Sequence, residues 1–249
     1  MIYFVGAGPG AEDLITVRGQ ALLKRADMVI YAGSLVNPAL LKCCPAGSEI
    51  LDSARMTLPE VISAMTRRDG PDAVVVRLHT GDPSLYGAIR EQMDALNRLG
   101  LAFEVVPGVS SFAAAAAAIP AEYTLPGVSQ TVILTRMAGR TPVPERESVR
   151  SLAAHNATMV LFLSAGMLSE LCAELIAGGY APDTPAAIVY KASWPEQQVA
   201  RGTLQTLPEI GKNLTKTALV LVGGFLGDEY ELSKLYDPAF AHGYREAKP

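Results

Sequence analysis

The chain has 249 residues, 49% of them apolar and 18% charged, with a formal net charge of −4. That balance excludes a disordered or fibrous chain, and the length suffices to bury a substantial core as one large domain or two modest ones. The acidic charge also argues against a nucleic-acid binder, which would show a basic face.

Residues 2–5 read as a short apolar strand that ends in the loop Gly6-Ala7-Gly8-Pro9-Gly10. Helical spacing follows over 14–26, with Thr16 as a cap near its start. A second apolar strand, 28–32, closes on Gly33 and Ser34, and 58–68 reads as a helix. Residues 73–78 form the third strand, and 85–99 an amphipathic helix stopped by Gly100. The fourth strand, 103–106, runs into Pro107-Gly108-Val109-Ser110-Ser111 and an alanine-rich helix. Strands that are continuously apolar and alternate with helices point to a parallel sheet covered on both faces.

Composition shifts around Leu125-Pro126-Gly127-Val128. Beyond it come a strand at 131–135, a helix at 145–154, a strand at 158–163 and a helix at 168–177 ended by Gly178-Gly179. Further strands are expected at 186–190, 198–202 and 218–222, with antiparallel pairing among the last two. The chain is therefore read as two α/β domains, 1–127 and 128–249. Basic residues gather between Arg136 and Arg150 beside Pro142, Pro144 and Glu145, either as a solvated loop or as a clamp for an anionic substrate.

Cys43, Cys44 and Cys172 lack metal-ligand spacing, and a vicinal pair with a distant third suits a reducing compartment. The N-terminus runs straight into the glycine loop without a basic region or cleavage site, and the longest apolar segment, 111–119, is far short of a membrane span. A cytoplasmic protein is expected.

Gly6 to Ala11 formally matches the dinucleotide fingerprint G-x-G-x-x-G/A, between a strand and a helix. Against that reading, the second strand ends in Tyr31-Ala32-Gly33-Ser34 rather than in the acidic residue a ribose requires. Glu12 and Asp13 would also repel a pyrophosphate at the same place. The richer loop is Thr80-Gly81-Asp82-Pro83, at the end of the third strand, where open α/β sheets place their ligands. It offers a carboxylate, a backbone position without a side chain and a rigid corner, with Tyr86 just beyond; the same residues also suit an ordinary turn. His79 beside it is either a proton-transfer group or a structural histidine.

Three of these segments in order, 5–10, 80–83 and 106–111, resemble those of the tetrapyrrole (corrin and sirohaem) methyltransferases. Residues 157–163 (ATMVLFL) and 187–197 (AIVYKASWPEQ) resemble that family's second-domain strands, so the likeness spans nearly the whole chain. Residues 31–38, 52–58, 79–89 and 235–240 are most similar to the branch that methylates a corrin-ring precursor of cobalamin at C11. Arg55 departs from the glycine found in many relatives. The resemblance implies the tetrapyrrole methylase fold, two α/β domains with a cofactor cleft between them, and S-adenosylmethionine as cofactor, with S-adenosylhomocysteine as its product. It also implies a tetrapyrrole substrate and a homodimer, with no metal site.

Carried over residue by residue, it assigns the cofactor to Pro9, Thr80, Gly81, Asp82, Leu85, Ser110, Ser111, Leu163, Ala192, Thr217 and Ala218. Asp82 and Tyr86 are the candidates for contacts near the reacting centre. Arg55, Arg136, Arg140 and Lys191, with Arg77 and Arg90 as further candidates, would pair with substrate carboxylates, arginines in bidentate fashion. Methyl transfer from a sulfonium requires mainly alignment, with the acceptor carbon about 3–3.5 Å from the methyl along the S–CH3 axis. Methylation at another ring position, an RNA acceptor, a non-catalytic tetrapyrrole-binding module and a nicotinamide enzyme are the competing readings.

Overall fold

The computed structural model describes residues 1–68, 70 and 72–247, which divide into two compact units. The first comprises Met1–Ala118 together with Lys191–Gln198, and the second Ile119–Tyr190 with Val199–Pro249.

The first unit is built on five strands, β1 (Ile2–Gly6), β2 (Met28–Tyr31), β3 (Glu49–Asp52), β4 (Val75–His79) and β5 (Phe103–Val106), in the order β3-β2-β4-β1-β5. All its pairings are parallel. Side chains alternate between the two faces of such a sheet. Val5, Val29, Val76 and Leu78 pack on one face with Leu22 and Leu23. Phe4, Ile30 and Val75 pack on the other with Met65 and Leu96. Burial on both faces is why these strands read as unbroken apolar runs.

Four helices cover the sheet: α1 (Val17–Leu23), α2 (Leu58–Thr66), α3 (Arg90–Arg98) and α4 (Ser111–Ala118). Thr16 caps α1 as expected, its hydroxyl accepting the Gly19 N–H at 3.1 Å. At the start of α2, the Glu60 carboxylate accepts the Thr57 N–H at 2.6 Å.

Two expectations need correction. The helix expected over 85–99 begins only at Arg90, because Tyr86 and Ala88 hold left-handed backbone (φ 55° and 50°) that breaks the spiral after the Asp82 loop. The strand β3 was absent from the sequence reading. It lies at the sheet edge with alternating rather than continuous burial, so no apolar run marks it.

The second unit has β6 (Val132–Arg136), β7 (Thr158–Phe162), β8 (Pro185–Tyr190), β9 (Gln198–Thr203) and β10 (Ala218–Val222), in the order β6-β7-β10-β8-β9. β6 and β7 are parallel, whereas β10 runs antiparallel to both β7 and β8, as expected of 218–222. Helices α5 (Val149–Ala153), α6 (Leu168–Ala177) and α7 (Leu207–Ile210) complete it. Met159, Leu161, Leu171, Leu175, Ile188 and Val220 form the heart of its core. The single helix expected over 145–154 is instead a short 3-10 turn, Glu145–Glu147, then α5, restarted by Ser148, whose hydroxyl accepts the Ser151 N–H.

Candidate active site

In the first unit the loops after β1, β4 and β5 meet at the carboxyl edge of the sheet. There β1 lies between β4 and β5, where the chain reverses its direction across the sheet. This is the usual ligand position of an open α/β fold. Gly8 and Gly81 bridge the first two loops: the Gly81 N–H donates to Gly8 O at 2.8 Å and the Gly8 N–H to Gly81 O at 3.3 Å. The third loop closes in at Gly108, where an added Cβ would lie 2.2 Å from Gly81 O and 2.8 Å from Gly6 Cα. Gly81 itself sits against Ser110 and Ser111, within 3.6 Å of Ser110 Cα on the same measure. Pro9, Thr80, Gly81, Asp82, Ser110 and Ser111 are therefore brought together.

Asp82 ties this arrangement. One carboxylate oxygen accepts the Gly108 N–H at 2.9 Å, and the other accepts the Ser84 N–H at 2.8 Å and the Ser84 hydroxyl. Partial burial opposes its ionisation, but the hydrogen bonds from the Ser84 hydroxyl, Gly108 and Ser84 N–H outweigh burial and lower the pKa. The side chain is an ionised acceptor that links two loops. Leu85 and Tyr86 follow in the same turn, Tyr86 being 45% exposed.

The glycine loop does not present its amides to a ligand as a dinucleotide loop does. The Ala7 N–H donates to His79 O, that of Gly8 to Gly81 O and that of Ala11 to the Ser193 hydroxyl. In addition, α1 starts only at Val17. No helix N-terminus follows the loop directly, so the physical basis of the nicotinamide reading is missing. Two side chains hold the loop's carbonyls, the Trp194 indole N–H at Pro9 O (2.9 Å) and the Asn37 amide at Gly10 O (2.8 Å). Neither contact was foreseen. The signal available in the sequence was Gly10 itself, whose added Cβ would fall 2.0 Å from the Trp194 ring.

The cations separate into different settings. Arg77 is buried, donating to Gln92 Oε1 and Ile30 O at 3.2 Å each, so it is a core group and not a surface clamp. Arg90 pairs with Asp94 on its own helix. Arg136 donates to the carbonyls of Met137, Thr141 and Pro142, organising the basic loop from within. Lys191 lies 3.6 Å from Glu196 and 5.0 Å from the Trp194 ring centre, while Arg55 and Arg140 are exposed. His79 is buried against Phe4, and no hydrogen bond reaches its Nε2. Burial, with Arg77 nearby, pushes its pKa down to about 3, so it is neutral. It is a structural histidine, though not a satisfied one.

In the second unit the remaining candidates share one sheet edge. Ala218 pairs with Tyr190, and continuing the β10–β7 register places Leu163 opposite Ala218. Arg136 ends β6 on the same edge, beside Phe162. Ser164 braces this end, accepting the Met137 N–H and donating to Phe162 O. Leu163 is left 64% exposed. The backbone here is strained: Leu163 after β7, Lys191 after β8 and Thr217 before β10 have φ of 53°, 46° and 51°. Of the seven non-glycine residues with positive φ among the described residues, these three and Tyr86 are candidate site residues, and Ser193 adjoins a fifth, Ala192. Such strain costs about 1–3 kcal/mol per residue and collects at functional sites.

A parallel glycine-loop sheet joined to a mixed sheet, with candidate residues on the strand-end loops of both, defines a class, and the comparisons identify it. Residues 1–208 match the model of the Tetrapyrrole (Corrin/Porphyrin) Methylases, and the chain belongs to that family. It is 50% identical to a cobalt-precorrin-4 C(11)-methyltransferase of Methanocaldococcus jannaschii, over 99% of this chain and 96% of that protein. A solved cobalt precorrin-4 methyltransferase of cobalamin biosynthesis is 47% identical with a TM-score of 0.88, over 91% of this chain and 96% of that one. A uroporphyrin-III C-methyltransferase of Thermus thermophilus, solved with S-adenosylhomocysteine, is 27% identical with a TM-score of 0.76, over 90% and 92%.

Proposed function

We propose that this chain methylates precorrin-4, or its cobalt complex, at C11 on the route to cobalamin, with S-adenosylmethionine as methyl donor. The observation that carries the reading is near-full-length identity of 50% to a C(11)-methyltransferase, together with the loops Gly6–Ala11, Thr80–Pro83 and Pro107–Ser111 meeting at one sheet edge. Small residues at these loops suit a bound sulfonium nucleoside, since backbone approaches a ligand closely only where side chains are short. S-adenosylmethionine supplies an electrophilic methyl group; the remaining work is placement.

Pro9, Thr80, Gly81, Asp82, Leu85, Ser110 and Ser111 of the first unit hold the cofactor, with Ala192 from the 191–198 segment. Leu163, Thr217 and Ala218 are the second unit's contribution, Leu163 as an apolar wall. Asp82 fixes the loops through its hydrogen bonds to Gly108 and Ser84. Tyr86 offers an exposed phenol in the same turn. Arg55 and Arg140, both exposed, are the cations best suited to substrate carboxylates, while Arg136 shapes the loop that carries Arg140 and Lys191 is paired with Glu196. No helix among the described residues is long and apolar enough to cross a membrane. The protein works in the cytoplasm as a homodimer.

The test is turnover of precorrin-4 and of cobalt-precorrin-4 with labelled S-adenosylmethionine, with the methyl position read by NMR. Label at C11 is expected. Label at another carbon, or none with either substrate, overturns the assignment.

A further inference from the structure

We propose that Trp194, assisted by Ser193, is a positioning residue for the cofactor, acting through the loop that carries Pro9. The inference rests on the function proposed above and goes beyond it, because neither side chain belongs to the motif-derived site.

The segment Lys191–Gln198 lies between two strands of the second unit in sequence, yet it packs as part of the first unit. It grips the glycine loop at two points, the Trp194 indole N–H on Pro9 O at 2.9 Å and the Ser193 hydroxyl under the Ala11 N–H at 3.0 Å. Gly10, between them, faces the indole so closely that no other residue fits without moving the ring. The segment is itself braced, by the Ser193 N–H on Gln197 Oε1 and the Trp194 N–H on Lys191 O. Two of its first three residues, Lys191 and Ser193, hold left-handed backbone. A segment needed only to join two strands would have no reason to keep that strain. The hold falls on Pro9 and its neighbours, and Pro9 is buried where the first loop meets the Thr80–Pro83 loop.

The chain has a single tryptophan, so its fluorescence reports on this contact alone. Two readouts are compared, indole emission of the wild type during titration with S-adenosylhomocysteine, and calorimetric binding of the same ligand to wild type, Trp194→Phe and Ser193→Ala. The expected result is a saturable emission change whose midpoint matches calorimetry. Trp194→Phe, which keeps a ring and removes the donor, should bind about 3- to 10-fold more weakly, the range set by loss of one net hydrogen bond. Its KM for S-adenosylmethionine should rise with kcat at saturation nearly unchanged, a split that a general loss of folding does not produce. Wild-type binding without any emission change overturns the proposal, as does Trp194→Phe binding like wild type. Absence of binding by the wild type removes the proposed function as well, which separates the two failures. Should Trp194→Phe not fold, the wild-type emission result decides.

Discussion

Replacing Asp82 separates two roles, linking loops and acting on the reacting atoms. Asp82→Ala deletes the acceptors of the Gly108 and Ser84 N–H groups. Hydrogen bonds to a charged group contribute about 1.5–3 kcal/mol each when well formed, and partial exposure of Asp82 argues for the low end. A total of about 3 kcal/mol lowers the melting temperature by roughly 6–12 °C in a chain of this size. Binding of S-adenosylhomocysteine should weaken about tenfold or more, roughly 1.4 kcal/mol, because Gly81, Gly108 and Ser110 lose their common register. Asp82→Asn keeps one carbonyl acceptor and should fall about midway in both readouts. The carboxyl pKa is lowered in the folded protein, so its stabilising contribution is complete above the ordinary carboxylate range and is lost only as pH falls through the folded value. The difference between wild type and Asp82→Ala should accordingly be flat from pH 5 to 8. Differential scanning calorimetry and titration calorimetry make these measurements. An Asp82→Ala protein with wild-type melting and affinity refutes the linking role, and an Asp82→Asn protein that loses only kcat moves Asp82 to the reacting centre.

Other perturbations follow from the same geometry. Gly108→Ala places a Cβ against backbone on two sides, Gly81 O and Gly6 Cα, so a loss of about 3 kcal/mol or more is expected in denaturant unfolding, the upper end for overpacking. Leu163→Gly relieves a left-handed backbone that costs about 1–3 kcal/mol, against about 0.4–1 kcal/mol of added unfolded-state entropy. Melting should hold steady or rise while calorimetric affinity for S-adenosylhomocysteine falls; a drop in both would show that Leu163 serves the core. His79 has a pKa near 3 when folded and an ordinary value of 6.5 when unfolded, so the unfolded chain binds the extra proton and stability declines as pH falls below about 6.5. The limiting slope is about 1.4 kcal/mol per pH unit for this group. His79→Leu should flatten the pH dependence of melting between pH 4 and 6, and an unchanged slope would assign the acid sensitivity elsewhere.

What was legible in the sequence depended on whether a signal was local. The strands β1, β2 and β4 are buried on both faces, so their residues are continuously apolar and their places were plain. The helix α6 fell at the expected bounds, 168–177, its apolar face repeating at Leu168, Leu171, Cys172 and Leu175. β3 escaped because only alternate positions of an edge strand are shielded. The late start of α3 escaped for another reason: nothing in Tyr86 or Ala88 as residue types announces left-handed backbone, which bulky residues adopt only when surrounding structure imposes it. The candidate site was legible through the order of its glycine motifs, whereas its support was not. Trp194 and Pro9 are 185 residues apart, and no periodicity or spacing rule spans that interval.

The residues that break local rules are informative for the same reason. Tyr86, Leu163, Lys191 and Thr217 are of types that favour other backbone, and each stands at a strand end or turn where the candidate site lies. Sequences agree with their fold at most positions and depart from it where function requires. Strain that was selected for folding would be scattered over loops of every kind. Here it coincides with residues singled out independently by motif, and Ser193 extends it to the segment that holds the glycine loop. If that coincidence reflects ligand placement, glycine at these four positions should relieve strain and weaken cofactor binding together, with Leu163→Gly the cleanest case because its side chain is exposed and its removal leaves no cavity in the core.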